Sequence, residues 1–196
     1  MKVFALDVET TGLDVATDQV LEVAVVVDDL QVGVPARPFA ELPTFRGAIY
    51  RTRVTGSPAA LAMNAALLER ISKRPAATQD TLPVYPSELS LAANLDWFLT
   101  SHRSDQPITV VGFNVWKLDI PILRKMMAKT GSFLGEHHRA IEVGSLYARP
   151  EDQRVPSSQE CCSRAGRAAD TFGPDHDPVI DCHRALFCLR HHWGFQ

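Results

Sequence analysis

The chain has 196 residues, 45% of them hydrophobic and 22% charged, which is enough apolar material for one sizeable core and too little charge for global disorder. Its formal net charge of −3 excludes a protein that grips long duplex through bulk positive charge, so any nucleic-acid contact has to be local, short or cation-mediated. Asp7 and Glu9 interrupt the first apolar run, so it is no secretory h-region, and no stretch is apolar for long enough to span a membrane. The four cysteines, Cys161, Cys162, Cys182 and Cys188, crowd into the end of the chain and include an adjacent pair, a poor disulfide framework. These features read as a soluble, cytoplasmic protein with reduced thiols and no membrane partner.

Residues 2–8 (KVFALDV) are apolar and β-prone and predict a buried strand. Residues 19–28 (QVLEVAVVVD) predict a second, able to pair with the first across the loop at 10–18. Pro35, Pro38 and Pro43 make 31–46 irregular and restrict any strand there to an edge type. Residues 57–71 carry Ala, Leu, Met and Ile at helical spacing, with Ser57 as cap and Pro58 in the first position. Pro75, Pro83 and Pro86 make 75–86 a loop, after which Ser87 opens a helix to about Ser101 with Glu88 in its first turn. Residues 107–112 (PITVVG) predict a short buried strand, and 119–130 an amphipathic helix ending before Gly131. The polar stretch 149–175 reads as a loop with one short helix, and 177–192 as the last helix, with Asp177 at the cap and Pro178 behind it. Early strands followed by strand–helix alternation predict a single α/β domain over 1–196 with a mixed sheet.

The strongest chemical signal is DVETTGL at 7–13. Asp7 and Glu9 are two apart on a strand, so both side chains point to one face. Two carboxylates side by side on a buried strand repel one another and lose solvation, and a divalent cation removes both penalties. Gly12 lets the backbone approach a ligand closely. Asp119 follows the strand 107–112 at the start of a helix, near the strand's carboxyl end, where open α/β sheets place ligands. His176 stands just before the last helix and Asp181 in its first turn, so both can face one cleft. Four such acids suit phosphodiester hydrolysis with two hard divalent cations, Mg²⁺ with Mn²⁺ able to substitute, and an imidazole nearby can take a proton from the attacking water.

The order DVETTGL, then Asn114 with an Asp five positions later, then H-x4-D at 176–181, resembles the DEDDh family of 3′–5′ exonucleases, which includes ribonuclease T, oligoribonuclease and polymerase proofreading subunits. The resemblance spans residues 4–190. It implies a ribonuclease H-like fold, a central mixed β-sheet flanked by α-helices, acting on single-stranded DNA or RNA, or a short oligonucleotide, with a free 3′-OH. It also implies roles. Asp7 bridges both cations, Glu9 and Asp181 help hold the one that activates water, Asp119 serves the second, and His176 is the general base. Thr10, Thr11 and Gly12 hold the terminal nucleotide, and Leu13 wedges against its base. Several family members are dimers, which leaves a homodimer open. Phe113 stands where the family often has His, and Trp116 and Lys117 stand where its members vary. The segment around Met63 and Asn64 is similar to a stretch of some phage-encoded exonucleases. Met63, Asn64, Asn114 and Trp116 are therefore further candidates for substrate contact.

Blander readings stand beside these. Met63 and Asn64 also read as helix packing and a surface amide, Trp116 as core or as a base-stacking platform, and Glu22 as a structural acid. Arg46, Arg51 and Arg53 read as a solvated loop or as phosphate contacts. The four cysteines with His183, His191 and His192 offer soft ligands, but no C-x2-C pair, for a structural zinc. The competing functions are thus an active exonuclease, a catalytically weak module of the same fold that binds ends, and a zinc-stabilised interaction protein.

Overall fold

The first two apolar runs pair as neighbours. They form β1 (Lys2–Thr10) and β2 (Val20–Asp29), antiparallel, at the centre of the sheet in the computed structural model, which describes residues 1–73 and 82–195. Beyond β2 come β3 (Thr44–Ile49), antiparallel to it, and β4 (Val84–Tyr85), parallel to β3. On the other side of β1, β5 (Thr109–Gly112) and β6 (Ile141–Glu142) add in parallel. The sheet is therefore mixed and six-stranded, in the order β4-β3-β2-β1-β5-β6.

Seven α-helices accompany it among the described residues: α1 (Pro58–Met63), α2 (Ala65–Ser72), α3 (Glu88–His102), α4 (Asp119–Ala128), α5 (Val143–Tyr147), α6 (Ser158–Arg164) and α7 (Pro178–His192). The expected caps are in place. Ser57 accepts from the Ala60 N–H, Ser87 from the Ser90 N–H, and Asp177 from the N–H groups of Val179 and Ile180. None of these helices is long and apolar enough to cross a membrane.

The two faces of β1 define two layers. Phe4, Leu6 and Val8 pack with Leu91, Leu95 and Leu99 of α3 and Ile120, Leu123 and Met127 of α4. Val3 and Ala5 point the other way, against Cys161 and Cys162 of α6 and Cys182, Leu186 and Leu189 of α7. Fully burying each large apolar side chain contributes about 1.5–3 kcal/mol, so this alternation fixes the register: a slip by one residue would turn the whole set over. The cysteines are free and buried; Cys162 and Cys188 approach at 3.7 Å as thiols.

Three sequence expectations need correction. The strand expected within 31–46 is not of edge type: β3 lies between β2 and β4 and begins after Pro43, so none of the three prolines removes a donor from its ladder. The helix expected over 57–71 is two helices broken at Asn64, whose buried amide turns away to donate to the Thr10 carbonyl at 3.1 Å. The loop expected over 75–86 lies mostly outside the described residues, and its end forms β4.

Candidate active site

The alternation that turns Val3 and Ala5 toward α7 also turns Asp7 and Glu9 to that face. Asp181 meets them from the first turn of α7, whose start is set by the Asp177 cap and Pro178. One carboxylate oxygen from each of Asp7, Glu9 and Asp181 lies within 4.8 Å of the others. Asp119 arrives from the opposite layer. It opens α4, and its Oδ1 accepts the Val8 N–H of β1 at 3.0 Å, which holds it beside the strand that carries Asp7 and Glu9.

Gathering these acids is costly without a counter-charge. Burial, and then the charges of Asp119, Asp181 and Glu9, push the Asp7 carboxyl well above the usual range. Burial pushes Glu9 up to about 8, with Asp181 adding to the effect and a hydrogen bond from Asn64 opposing it. Burial likewise pushes Asp119 up to about 7 against the Val8 N–H, and raises Asp181 against the adjacent Arg184. Oxygen-only donors at this spacing, their proton affinity raised by burial and in part by one another's charge, fit a hard divalent ion such as Mg²⁺ or Mn²⁺. Glu22, opposite Glu9 in the β1–β2 ladder, is buried too, but it is paired with Arg46, as suits a structural acid.

Asp7, Asp181 and His176 line one cavity of about 340 Å³ with Phe113, Ser157, Ser158, Gln159, Asp175 and Arg184. His176 is exposed and has φ +60°, a left-handed conformation that is uncommon outside glycine. Arg184 is a residue the sequence reading missed. It is 1% exposed and donates to Asp181 at 2.8 Å and to Asp175 at 2.9 Å. Its signal was its place one turn after Asp181 on an otherwise apolar helix face. Ser157 to Gln159 were missed as well, although Ser157 and Glu160 form the capping box that a Ser-x-x-Glu spacing announces.

The loop after β1 is tightly built. Thr11 is buried, its hydroxyl donates to Asp18 at 3.1 Å and accepts the Gln19 N–H, and its carbonyl accepts the Ser57 N–H. The Thr10 hydroxyl donates to the Gly12 carbonyl. A Cβ at Gly12 would stand 2.3 Å from Asp18 Oδ2, and one at Gly56 2.2 Å from the Thr11 carbonyl oxygen, so both positions need glycine. Leu13 in this loop and Met63 at the end of α1 are exposed apolar side chains, 76% and 54% accessible, so Met63 is not helix packing, and the buried Asn64 is not a surface amide.

Asn114 is exposed at φ +61°, a turn held by Glu142 of β6, which accepts the N–H groups of Asn114 and Trp116. Trp116 is half-buried against the α3–α4 core, with Arg124 over its ring at 5.6 Å. Arg46 and Arg51 are spent on internal partners: Arg46 on Glu22 and Asp177, Arg51 on Glu88 and the Val20 carbonyl. Among the described residues the C-terminal thiols and imidazoles form no group of three that could hold a metal, although Cys162 and Cys188 meet as a pair. Cys182 donates to the Ala24 carbonyl, His183 stacks on Phe39, and His191 bonds the Tyr147 hydroxyl. The acidic trio is the one group of potential metal ligands among the described residues.

The chain matches solved exonuclease structures over essentially its whole length, and its mixed six-stranded sheet flanked by helices shares their ribonuclease H-like fold. A structure of exonuclease I, described as suggesting how processivity is achieved, superposes with a TM-score of 0.70 at 14% identity, covering 100% of this chain and 41% of that one. E. coli exonuclease I in complex with a dT13 oligonucleotide superposes with a TM-score of 0.64 at 16% identity, covering 96% and 40%. The chain thus spans about two fifths of the length of these neighbours. No family pattern and no curated protein matches it in sequence.

Proposed function

We propose that residues 1–196 form one DEDDh-type exonuclease domain that removes nucleotides from the 3′ end of single-stranded DNA or RNA. The observation that carries this reading is the convergence of Asp7, Glu9 and Asp181 within 4.8 Å, with Asp7 and Asp181 lining a cavity shared with His176, on a fold matched by exonucleases. Asp7, Glu9 and Asp181, with Asp119 behind them, are the residues that would hold two divalent cations. When bound, those ions supply the positive charge that phosphodiester hydrolysis needs at the phosphate.

The chain's own residues do the rest. His176 takes the proton from the attacking water. Asn64 ties the Thr10 carbonyl, and with it the loop at Thr10–Gly12, to the break between α1 and α2. The exposed Leu13 and Met63 offer apolar surface to a terminal base, a contact that needs no basic patch and so accords with a net charge of −3. A neighbour of the same fold was crystallised with a dT13 oligonucleotide, which supports a single-stranded substrate.

The test is a time course on end-labelled single-stranded DNA and RNA of matched sequence, with Mg²⁺, with Mn²⁺ and with EDTA. A ladder that shortens from the 3′ end with either cation and stops in chelator is expected. Undiminished cleavage in EDTA, or none with either cation, refutes the reading.

A further inference from the structure

His176 lies between two aspartates, and each of them is fixed by a different arginine. Asp175 Oδ1 accepts from Arg184 Nη1 at 2.9 Å, and its Oδ2 accepts from Gln159 of α6 at 3.0 Å. Asp177 Oδ2 accepts from Arg46 Nη2 of β3 at 3.0 Å, while its Oδ1 caps α7. The cations are anchored in turn. Arg184 also donates to the carbonyls of Ala169 and Gly173, at 3.1 and 3.0 Å, and Arg46 donates to the buried Glu22. The arginine side chains are 1% and 25% exposed. A solvated loop would leave its acids to water; here both are bound to cations rooted in separate elements, α7 and β3. The restraint falls on a residue whose backbone needs it, because the left-handed conformation of His176 is disfavoured for a residue that carries a side chain.

We infer that the Asp175–Arg184 and Asp177–Arg46 pairs form a two-sided clamp that presets His176 at the mouth of the acidic cavity, which makes these four side chains positioning residues that act through the imidazole. The inference rests on the proposed exonuclease reading and on His176 as its base. It goes beyond that reading in assigning work to groups other than the four acids and the base. It also replaces phosphate contact as the role of Arg46.

Asp175→Asn and Asp177→Asn, singly and together, test it. Both remove the charge while keeping the shape, and Asn is as good an N-cap as Asp at position 177. Three quantities are read: single-turnover cleavage, oligonucleotide affinity, and amide hydrogen exchange over residues 169–178 of the cation-free protein. Each single change should slow cleavage about 10-fold, and the pair more, because misplacing a reacting group by an ångström costs up to about 10²-fold. Affinity should hold within about twofold and exchange over 169–178 should rise, since these amides open once their local ties are cut.

The decisive comparison repeats the substitutions in a His176→Ala background, where their effect on cleavage should vanish because the group they position is gone. Equal losses in both backgrounds, or wild-type cleavage by the double variant, overturn the clamp. A wild-type protein that does not cleave refutes the exonuclease reading instead; the clamp is then judged by exchange alone, and unchanged exchange in the double variant overturns it.

Discussion

Replacing Asp7 by Asn should abolish cleavage and yet raise the stability of the cation-free protein. One oxygen of Asp7 lies within 4.8 Å of oxygens of Glu9 and Asp181. Two unit charges at that separation repel by about 3 kcal/mol at an effective dielectric of about 20. The folded protein escapes part of this by binding protons. Burial pushes Glu9 up to about 8 from the ordinary carboxyl value of 4.5, and Asp7 is raised in the same direction. Between those values the folded state binds more protons than the unfolded one. The stabilisation from the raised groups is therefore complete below about pH 4.5 and is lost as the pH climbs toward 8.

An amide at position 7 carries no charge and can donate to a neighbouring carboxylate. The variant should then exceed the wild type by about 1–3 kcal/mol near pH 8, which is about 2–12 °C in melting temperature for a chain of this size. Near pH 5 the two should converge, since the wild-type cluster is then protonated. Saturating Mg²⁺ should reverse the order, because the wild type gains about 2.7 kcal/mol at a hundredfold excess over its dissociation constant and the variant gains less. Thermal melts of both proteins in EDTA at pH 5 and pH 8, repeated with Mg²⁺, provide the measurement. If Asp7→Asn melts below the wild type in EDTA at pH 8, or by the same offset at both pH values, the acids are not a strained cluster that awaits a cation.

Digestion should start only at a free 3′-OH: a 3′-phosphate should slow it strongly, and efficient cutting of circular single strands would falsify the exonuclease assignment in favour of an endonuclease. His176→Ala should lose about 10²–10⁴-fold in single-turnover rate while its affinities for Mn²⁺ and oligonucleotide hold, as expected of a base that is not a ligand; loss of Mn²⁺ binding would make the histidine a ligand instead. Gly12→Ala forces a Cβ to 2.3 Å from Asp18 Oδ2, which accepts the Asp14 N–H. The loop at 10–18 must shift, at a cost of about 1–3 kcal/mol, and KM should rise more than kcat falls; unchanged KM and stability would show that this loop does not shape the substrate pocket.

Where the sequence was legible, the physics was local. Strand β1 could be read because its residues form one apolar, β-prone run, and Asp7 with Glu9 stood out because two acids on one face of a buried strand have no comfortable structural explanation. The caps Ser57, Ser87 and Asp177 are local signals too, and each marks its helix start in the structure. The elements that escaped were those held by distant partners. β4 and β6 are two residues long and exist because β3 and β5 offer them a parallel edge, something no window of their own residues reveals. The break at Asn64 was invisible for the same reason: the spacing over 57–71 is helical throughout, and the carbonyl that draws the amide away belongs to Thr10, 54 positions earlier.

The acids of the candidate site were readable one by one, but the charges that balance them were not. Arg46 sits in a run with Arg51 and Arg53 that reads as a basic surface, yet the fold turns Arg46 onto Glu22 and Asp177 and Arg51 onto Glu88. Arg184 sits in a helix that reads as core, and it is buried as a core residue would be, with its charge matched by Asp181 and Asp175. A buried guanidinium is tolerable only where its donors are met, and Arg184 meets them with two carboxylates and two carbonyls drawn from α7 and the segment before it. That requirement makes it informative. An apolar cluster in place of the whole Arg184–Asp181–Asp175 group would cost little stability, whereas loss of the arginine alone would strand its carboxylates. Its presence beside Asp181 and the His176 loop is explained by what it holds in place there, and the Asp175→Asn and Asp177→Asn comparison separates that explanation from plain packing.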